Sequence, residues 1–269
     1  MKTIIFPTDF SKNADLAMEY AIIAAKALDA GILAINAFDL PYSQNVMSTS
    51  LLDIMRETSE KGLKEIGKKL EASGVKYETR SMMGNPIRVV KELTKTRPDS
   101  IIVMGTKGAS GIEEILIGSN TASILHAVNV PVFAIPATAT RKVIKRIVYA
   151  SDFQSTRNER ALTRLAELAK AFKAEILVLH VQLDEGDPVK AQREKFERIF
   201  GDVPHSFHVE HAYERDVERV ILEFGLEKEA CMIALMARKH GFLEGLFHSS
   251  VTSKVAFHTK CPFLALHEE

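Results

Sequence analysis

Ile4-Ile5-Phe6-Pro7-Thr8-Asp9-Phe10 returns later in the chain as Ile147-Val148-Tyr149-Ala150-Ser151-Asp152-Phe153. Each is an apolar, β-forming run that closes on a small or hydroxyl residue, an aspartate and a phenylalanine. Working outward, Ile32-Leu33-Ala34-Ile35-Asn36-Ala37 returns as Ile176-Leu177-Val178-Leu179-His180-Val181, and Ser100 to Met104 returns as Met232 to Met236. Val130 to Ile135 then returns as Cys261 to Leu266. Matched segments in the same order mean duplication. A half-chain period is far longer than a solenoid unit, so each copy is a domain with its own core. The expected domains are 1–138 and 139–269, joined at Ala137-Thr138-Ala139-Thr140, between Pro136 and the basic run Arg141 to Arg146.

Within each copy, strand and helix periods alternate. Ala17, Tyr20, Ala21, Ala24 and Leu28 lie at helical spacing, as do Ala161, Leu165, Leu168, Ala169 and Phe172. Thr156 with Glu159 three residues on reads as a capping-box start for the second of these helices. A charged amphipathic helix is expected from Leu51 to Ala72 after a polar loop at Ser43 to Ser50, with a shorter counterpart from Pro188 to Phe200. Continuous apolar strands such as Ile101 to Met104 imply burial on both faces. The fold class is therefore α/β, two tandem parallel sheets covered by helices.

Composition sets the function classes aside. The chain has 269 residues, 46% hydrophobic and 26% charged, with 35 basic and 35 acidic side chains and no net charge. No field of one sign exists to hold a nucleic-acid backbone or an anionic membrane, so neither is an expected partner. No signal peptide or membrane-spanning run is read in the sequence, and the expected location is cytoplasmic. Cys231 and Cys261 fall in apolar runs and read as reduced thiols inside neighbouring strands.

In doubly wound sheets, ligands bind beyond the carboxyl ends of the strands, so the residues there matter most. Pro7-Thr8-Asp9 follows the first strand, and Met104-Gly105-Thr106-Lys107-Gly108 follows the fourth. Gly118-Ser119-Asn120-Thr121 then opens the last helix, giving the pattern G-x2-G-x9-G-S. Gly105 and Gly108 are read as positive-φ positions presenting bare amides. Gly118 and Ser119 are read as free donors at a helix N-terminus, where the macrodipole also favours an anion. Thr106, Lys107, Ser119 and Thr121 add hydroxyl and ammonium groups suited to phosphate or Mg2+. Asp9 is placed for a ribose or base, or alternatively caps the first helix.

These residues, with Gly84-Asn85-Pro86 after the third strand, resemble the universal stress protein family, and the strand pattern in both halves resembles a tandem member. The resemblance implies five-stranded, doubly wound domains of the adenine nucleotide α-hydrolase-like class. It also implies an ATP site at Pro7, Thr8 and Asp9, at Ala37, at the Met104 to Gly108 turn with Lys107, and at Gly118 to Thr121, with ATP and Mg2+ as ligands. Family ATP binders carry an aliphatic residue where this chain has Asn120. Pairing of the last strands, Val130 to Ile135 with Phe263 to Leu266, would make an intramolecular pseudo-dimer, and two chains can further associate as a homodimer.

The second copy departs from this pattern. It reads Met236-Ala237-Arg238-Lys239-His240-Gly241 and then Leu246-Phe247-His248-Ser249-Ser250-Val251, with Tyr213-Glu214-Arg215 in place of the glycine–proline turn. Side chains at Ala237, His240 and Ser249 would crowd phosphates, so this copy is expected to be a degenerate site serving as a structural partner. His205, His208 and His211 fall on a strand whose alternation separates His208 from the other two, so no metal site is expected. No nucleophile elbow and no Walker pattern is present.

The first reading is therefore a stress-response regulatory protein that binds ATP in its N-terminal domain, with unidentified protein partners. No placed general base or arginine finger is evident, so hydrolysis, if any, is slow and enzymatic activity stays open. The alternatives are a nucleotide-free interaction module and an ATP-consuming enzyme, although neither an S-G-G-x-D-S loop nor an H-I-G-H run occurs.

Overall fold

The computed structural model describes residues 2–39, 49–107, 118–140, 142–153, 158–182, 188–212, 216–237, 251, 255 and 259–268. The first half runs β1 (Thr3–Pro7), α1 (Lys12–Leu28), β2 (Gly31–Phe38), α2 (Thr49–Ala72), β3 (Tyr77–Met83), α3 (Pro86–Thr96), β4 (Ile101–Gly105), α4 (Ser119–Ala127) and β5 (Val132–Ile135). The second runs β6 (Arg146–Ala150), α5 (Glu159–Phe172), β7 (Glu175–Gln182), α6 (Pro188–Phe200), β8 (His205–His211), α7 (Val217–Glu227), β9 (Met232–Ala237) and β10 (Phe263–His267).

All the described strands join one ten-stranded sheet of order β3-β2-β1-β4-β5-β10-β9-β6-β7-β8. Within each half the pairing is parallel. At the centre β5 and β10 run antiparallel, with Phe263 opposite Ala134 and Ala265 opposite Val132. The sheet is buried on both faces, which is why its inner strands carry mostly apolar residues on both sides. Helices α1, α2, α5 and α6 cover one face, and α3, α4 and α7 cover the other. Tyr20 of α1 meets Phe133 of β5 edge-on at 5.9 Å, close to the line where the halves join.

The duplication extends to backbone detail. Phe10 and Phe153 both take positive φ after their strands, and Asp29 and Lys173 both close their helices in the left-handed region. The expected linker is packed down rather than extended. Ala139 and Ile144 are buried in the core, and Lys142 pairs with Glu19 at 2.5 Å.

Two local expectations are corrected. The second α/β helix starts at Glu159 with Asn158 as its N-cap, so Glu159 cannot close a capping box from Thr156, which lies outside the described residues. The Asn158 side chain instead accepts from Lys195 of α6 at 2.6 Å. Cys231 and Cys261 sit just before β9 and β10 rather than inside them. They form no disulfide, and Cys231 is buried and Cys261 half-buried.

The histidines of β8 alternate between the faces. His205 packs against Phe200 and Phe207 at 5.4 and 5.7 Å, and His208 packs against Phe224 at 5.1 Å. His205 and His208 are therefore packing groups, whereas His211 is exposed. Burial, and then Lys228, hold the His208 pKa below the ordinary histidine value, against the opposing pull of Glu175, Glu210 and Glu227. A depressed histidine contributes stability that is complete above its unfolded value of about 6.5 and is lost as pH falls below it. His208→Gln is therefore expected to flatten the loss of stability between pH 7.5 and 5.5 in urea denaturation. An unchanged slope would assign that loss to other groups.

Candidate nucleotide site

The strand order of the first half reverses between β1 and β4, which part at their carboxyl ends and leave a crevice. A cleft of about 230 Å³ occupies it. Pro7, Thr8 and Asp9 enter from β1, Ala37 from the end of β2, and Met104, Gly105 and Lys107 from the end of β4. Gly118, Ser119, Asn120 and Thr121 enter from the start of α4. The site residues expected from sequence line this cleft except Thr106, which is buried away from it, and Gly108, which lies outside the described residues.

The sequence reading missed several lining groups. Ile35, Val90 and Ile124 form an apolar wall, and Pro86 is the first residue of α3. Asn85 caps that helix by accepting from the Ile87 and Arg88 amides at 3.0 and 3.3 Å, which fixes Pro86 at the rim. Asn36 donates to the Thr8 carbonyl at 2.8 Å and so clamps the β1 turn to β2.

Gly105 serves a purpose other than the expected one. Its φ is not in the left-handed region; what it supplies is space. A Cβ there would lie 2.7 Å from Asn13 Oδ1 and 2.8 Å from Asn13 Cγ. Asn13 is buried on α1 and ties the turn together, donating to the Ile135 carbonyl at 3.0 Å and accepting from the Lys107 amide at 2.7 Å. In the sequence Asn13 shows only as a polar residue one turn before the Ala17–Ala21–Ala24 stripe.

The anion cradle also differs from the expectation. The Gly118 amide is committed to the Thr106 carbonyl at 2.6 Å, and the Thr106 and Lys107 amides bond to Ile135 and Asn13. The Thr121 hydroxyl donates to the Gly105 carbonyl at 2.9 Å, and Thr106 is buried away from the cleft. Gly118 is the N-cap of α4 with φ −61° and ψ 150°, and the first helical bond runs from Ala122 to the Gly118 carbonyl. The amides of Ser119, Asn120 and Thr121 are thus the first-turn donors that a helix leaves without internal acceptors. They point the positive end of the helix at the cleft.

Asp9 is exposed at the opposite side, where its Oδ1 accepts from the Ser11 amide at 3.1 Å. Ser11, not Asp9, caps α1 by accepting from Ala14 at 3.2 Å.

A sequence model of the Universal stress protein family matches the chain twice, over residues 1–136 and 144–267. The chain belongs to the universal stress protein family. It is 32% identical over 138 residues to a universal stress protein of Methanocaldococcus jannaschii, covering 50% of this chain and 81% of the relative. A crystal structure of a universal stress protein from Archaeoglobus fulgidus superimposes with a TM-score of 0.82 at 25% identity, covering 99% of this chain and 98% of that one. A functionally unknown protein of Pseudomonas aeruginosa shares the fold, with a TM-score of 0.68 at 14% identity and coverage of 99% and 92%.

The second family copy keeps the first turn of the motif. Ser151 donates its amide to Leu179, and Phe153 donates to the Ser151 hydroxyl, as Thr8 and Phe10 do in the first copy. His180 Nδ1 stands 3.0 Å from the Ser151 carbonyl, in the position of Asn36. Ala237 ends β9 opposite His267, and the motif remnants Arg238, His240 and Ser249 lie outside the described residues. No described helix is long and apolar enough to cross a membrane.

Proposed function

We propose that the N-terminal half binds an adenine nucleotide, ATP with Mg2+, and that the chain is a cytoplasmic stress-response regulatory protein with little or no hydrolysis. The observation that carries this reading is the meeting, in one cleft at the β1/β4 crevice, of an apolar wall with the first-turn amides of α4. The apolar wall of Ile35, Val90 and Ile124 suits a purine. Asp9 and the Thr8 turn suit a ribose or the base edge, and Ser119, Asn120 and Thr121 suit phosphate oxygens.

The donor set at the cradle consists of neutral hydroxyls and amides plus Lys107. Mg2+ would therefore be carried mainly by the phosphates, with the Ser119 hydroxyl beside them, and would neutralise their charge. Among the described lining residues the carboxylate is Asp9, at the β1 side of the cleft rather than in the α4 turn. The C-terminal half acts as a built-in partner for the first.

The engaged Gly118 amide and Asn120 favour a second reading, an interaction module that binds no nucleotide. Thermal unfolding separates the two. ATP-Mg at a hundredfold excess over its Kd adds about 2.7 kcal/mol and raises the midpoint by several degrees. A midpoint unmoved at millimolar ATP in folded protein supports the second reading.

A further inference from the structure

A cavity of about 370 Å³ lies where the two halves meet, away from the nucleotide cleft. The first half contributes the end of α3 and the chain from Ala127 to Pro131, and the second contributes the start of α5 and the end of β10. Two helices face across it, each with a pair of cations one turn apart: Lys91 and Lys95 on α3, Arg160 and Arg164 on α5. Among the described lining residues the opposing carboxylate is Glu268.

This excess is not what helix stability favours. Like charges at i,i+4 repel, and Arg160 and Arg164 occupy the first two turns of α5, where the macrodipole disfavours a cation. Lys95 is in the last turn of α3 and pairs with Glu92 at 2.7 Å, so its place has a local reason. Lys91 forms no ion pair among the described residues. Arg164 is drawn inward, with its side chain 16% exposed, and donates to the Pro98 carbonyl across the junction at 2.6 Å. Asp99 approaches Arg160 and Arg164 at 3.7 and 3.4 Å but is itself 77% exposed, so these contacts are screened by solvent. In a chain of no net charge, four cations gathered around one cavity are a local choice rather than a consequence of composition.

We propose that this junction cavity binds a small anion bearing two or more phosphate groups and thereby braces the two halves against each other. Guanidinium forks suit phosphate oxygens bidentately, and the lysines supply charge from the facing helix. The volume falls in the range of small-molecule pockets, and the apolar lining at Val128, Val130, Pro131 and Leu266 leaves room for an organic group. The site is independent of the nucleotide reading, because it shares no residue with the β1/β4 cleft.

The test is calorimetric titration of inorganic pyrophosphate into the full chain at low ionic strength without Mg2+. Four proteins are compared: the unaltered chain, K91Q/K95Q, R160Q/R164Q, and G105A, which obstructs the other cleft. Pyrophosphate is expected to bind the unaltered chain and G105A alike. K91Q/K95Q should weaken it at least tenfold, with a shallower salt dependence, and R160Q/R164Q should abolish it. Lys91 and Lys95 are exposed, so their variant is decisive even if loss of the Arg164–Pro98 bond impairs folding. An affinity unchanged in K91Q/K95Q, loss of binding in G105A alone, or no saturable binding at millimolar pyrophosphate overturns the proposal.

Discussion

Gly105→Ala is expected to lower the stability of the chain by about 1–3 kcal/mol, the usual cost of forcing atoms into a packed site, and to abolish the ATP-induced rise in midpoint that the proposed function predicts. The added methyl would meet Asn13 at 2.7 and 2.8 Å on the side chain and at 3.1 Å on the backbone carbonyl. Asn13 cannot turn aside cheaply. Both ends of its amide are bonded, to Ile135 and to the Lys107 amide, and it is only 7% exposed. Relief must come from the β4 turn itself, which carries Met104, Gly105 and Lys107 into the cleft.

Asn13→Ala should loosen the same turn by a different route, leaving the Lys107 amide without its acceptor. If steric conflict is the cause in G105A, the double variant recovers part of the loss, because the two closest atoms are gone. The coupling in a double-mutant cycle should then exceed about 0.5 kcal/mol. Strict additivity would place the effect of Gly105 elsewhere.

That prediction depends on a contact that sequence reasoning could not reach. The strands were legible because an apolar run with a terminal aspartate was written twice. The cleft was legible because a doubly wound sheet has one place for a ligand, and the glycines and helix start fell there. Asn13 was not legible as the linchpin, since its acceptor at Ile135 lies 122 residues away. The sequence reading gives Gly105 a positive φ, whereas the residue answers a close approach to Asn13.

The same limit applies to the donors. A pattern names which amides are near a ligand, but not which are already spent. Only the fold reveals that Gly118 is bonded to Thr106 and that the open amides begin at Ser119. The ends of elements were the other weak point. Helix α5 has Asn158 as its N-cap, and the Asn158 side chain is bonded to Lys195 of α6, a tertiary partner that a capping pattern does not contain.

The second large effect falls in the other half. Phe196→Ala should cost about 3–5 kcal/mol, because its ring is 2% exposed in a cluster that leaves little room to collapse. Phe153 and Phe200 lie 5.3 and 5.5 Å from it, centroid to centroid, and Tyr149 and Phe207 both lie at 6.1 Å. Phe153 follows the repeated aspartate and Tyr149 belongs to the repeated strand, so the substitution empties the core beneath the second copy of the motif.

How far that loss spreads is the more informative measurement. Each face of the sheet carries apolar residues from both halves, and β5 and β10 join at the centre through Phe133 opposite Leu264. Opening the second half would strip β5 of its partner and expose the edge that β10 covers. Calorimetric unfolding of F196A should therefore show one cooperative transition moved down as a whole, by roughly 2–4 °C per kcal/mol. ATP should still raise that midpoint, because the altered residue is far from the β1/β4 cleft. Two resolved transitions, with the ATP-sensitive one left at its original midpoint, would show that the halves melt independently and that the central pairing is too weak to make the second copy a structural partner.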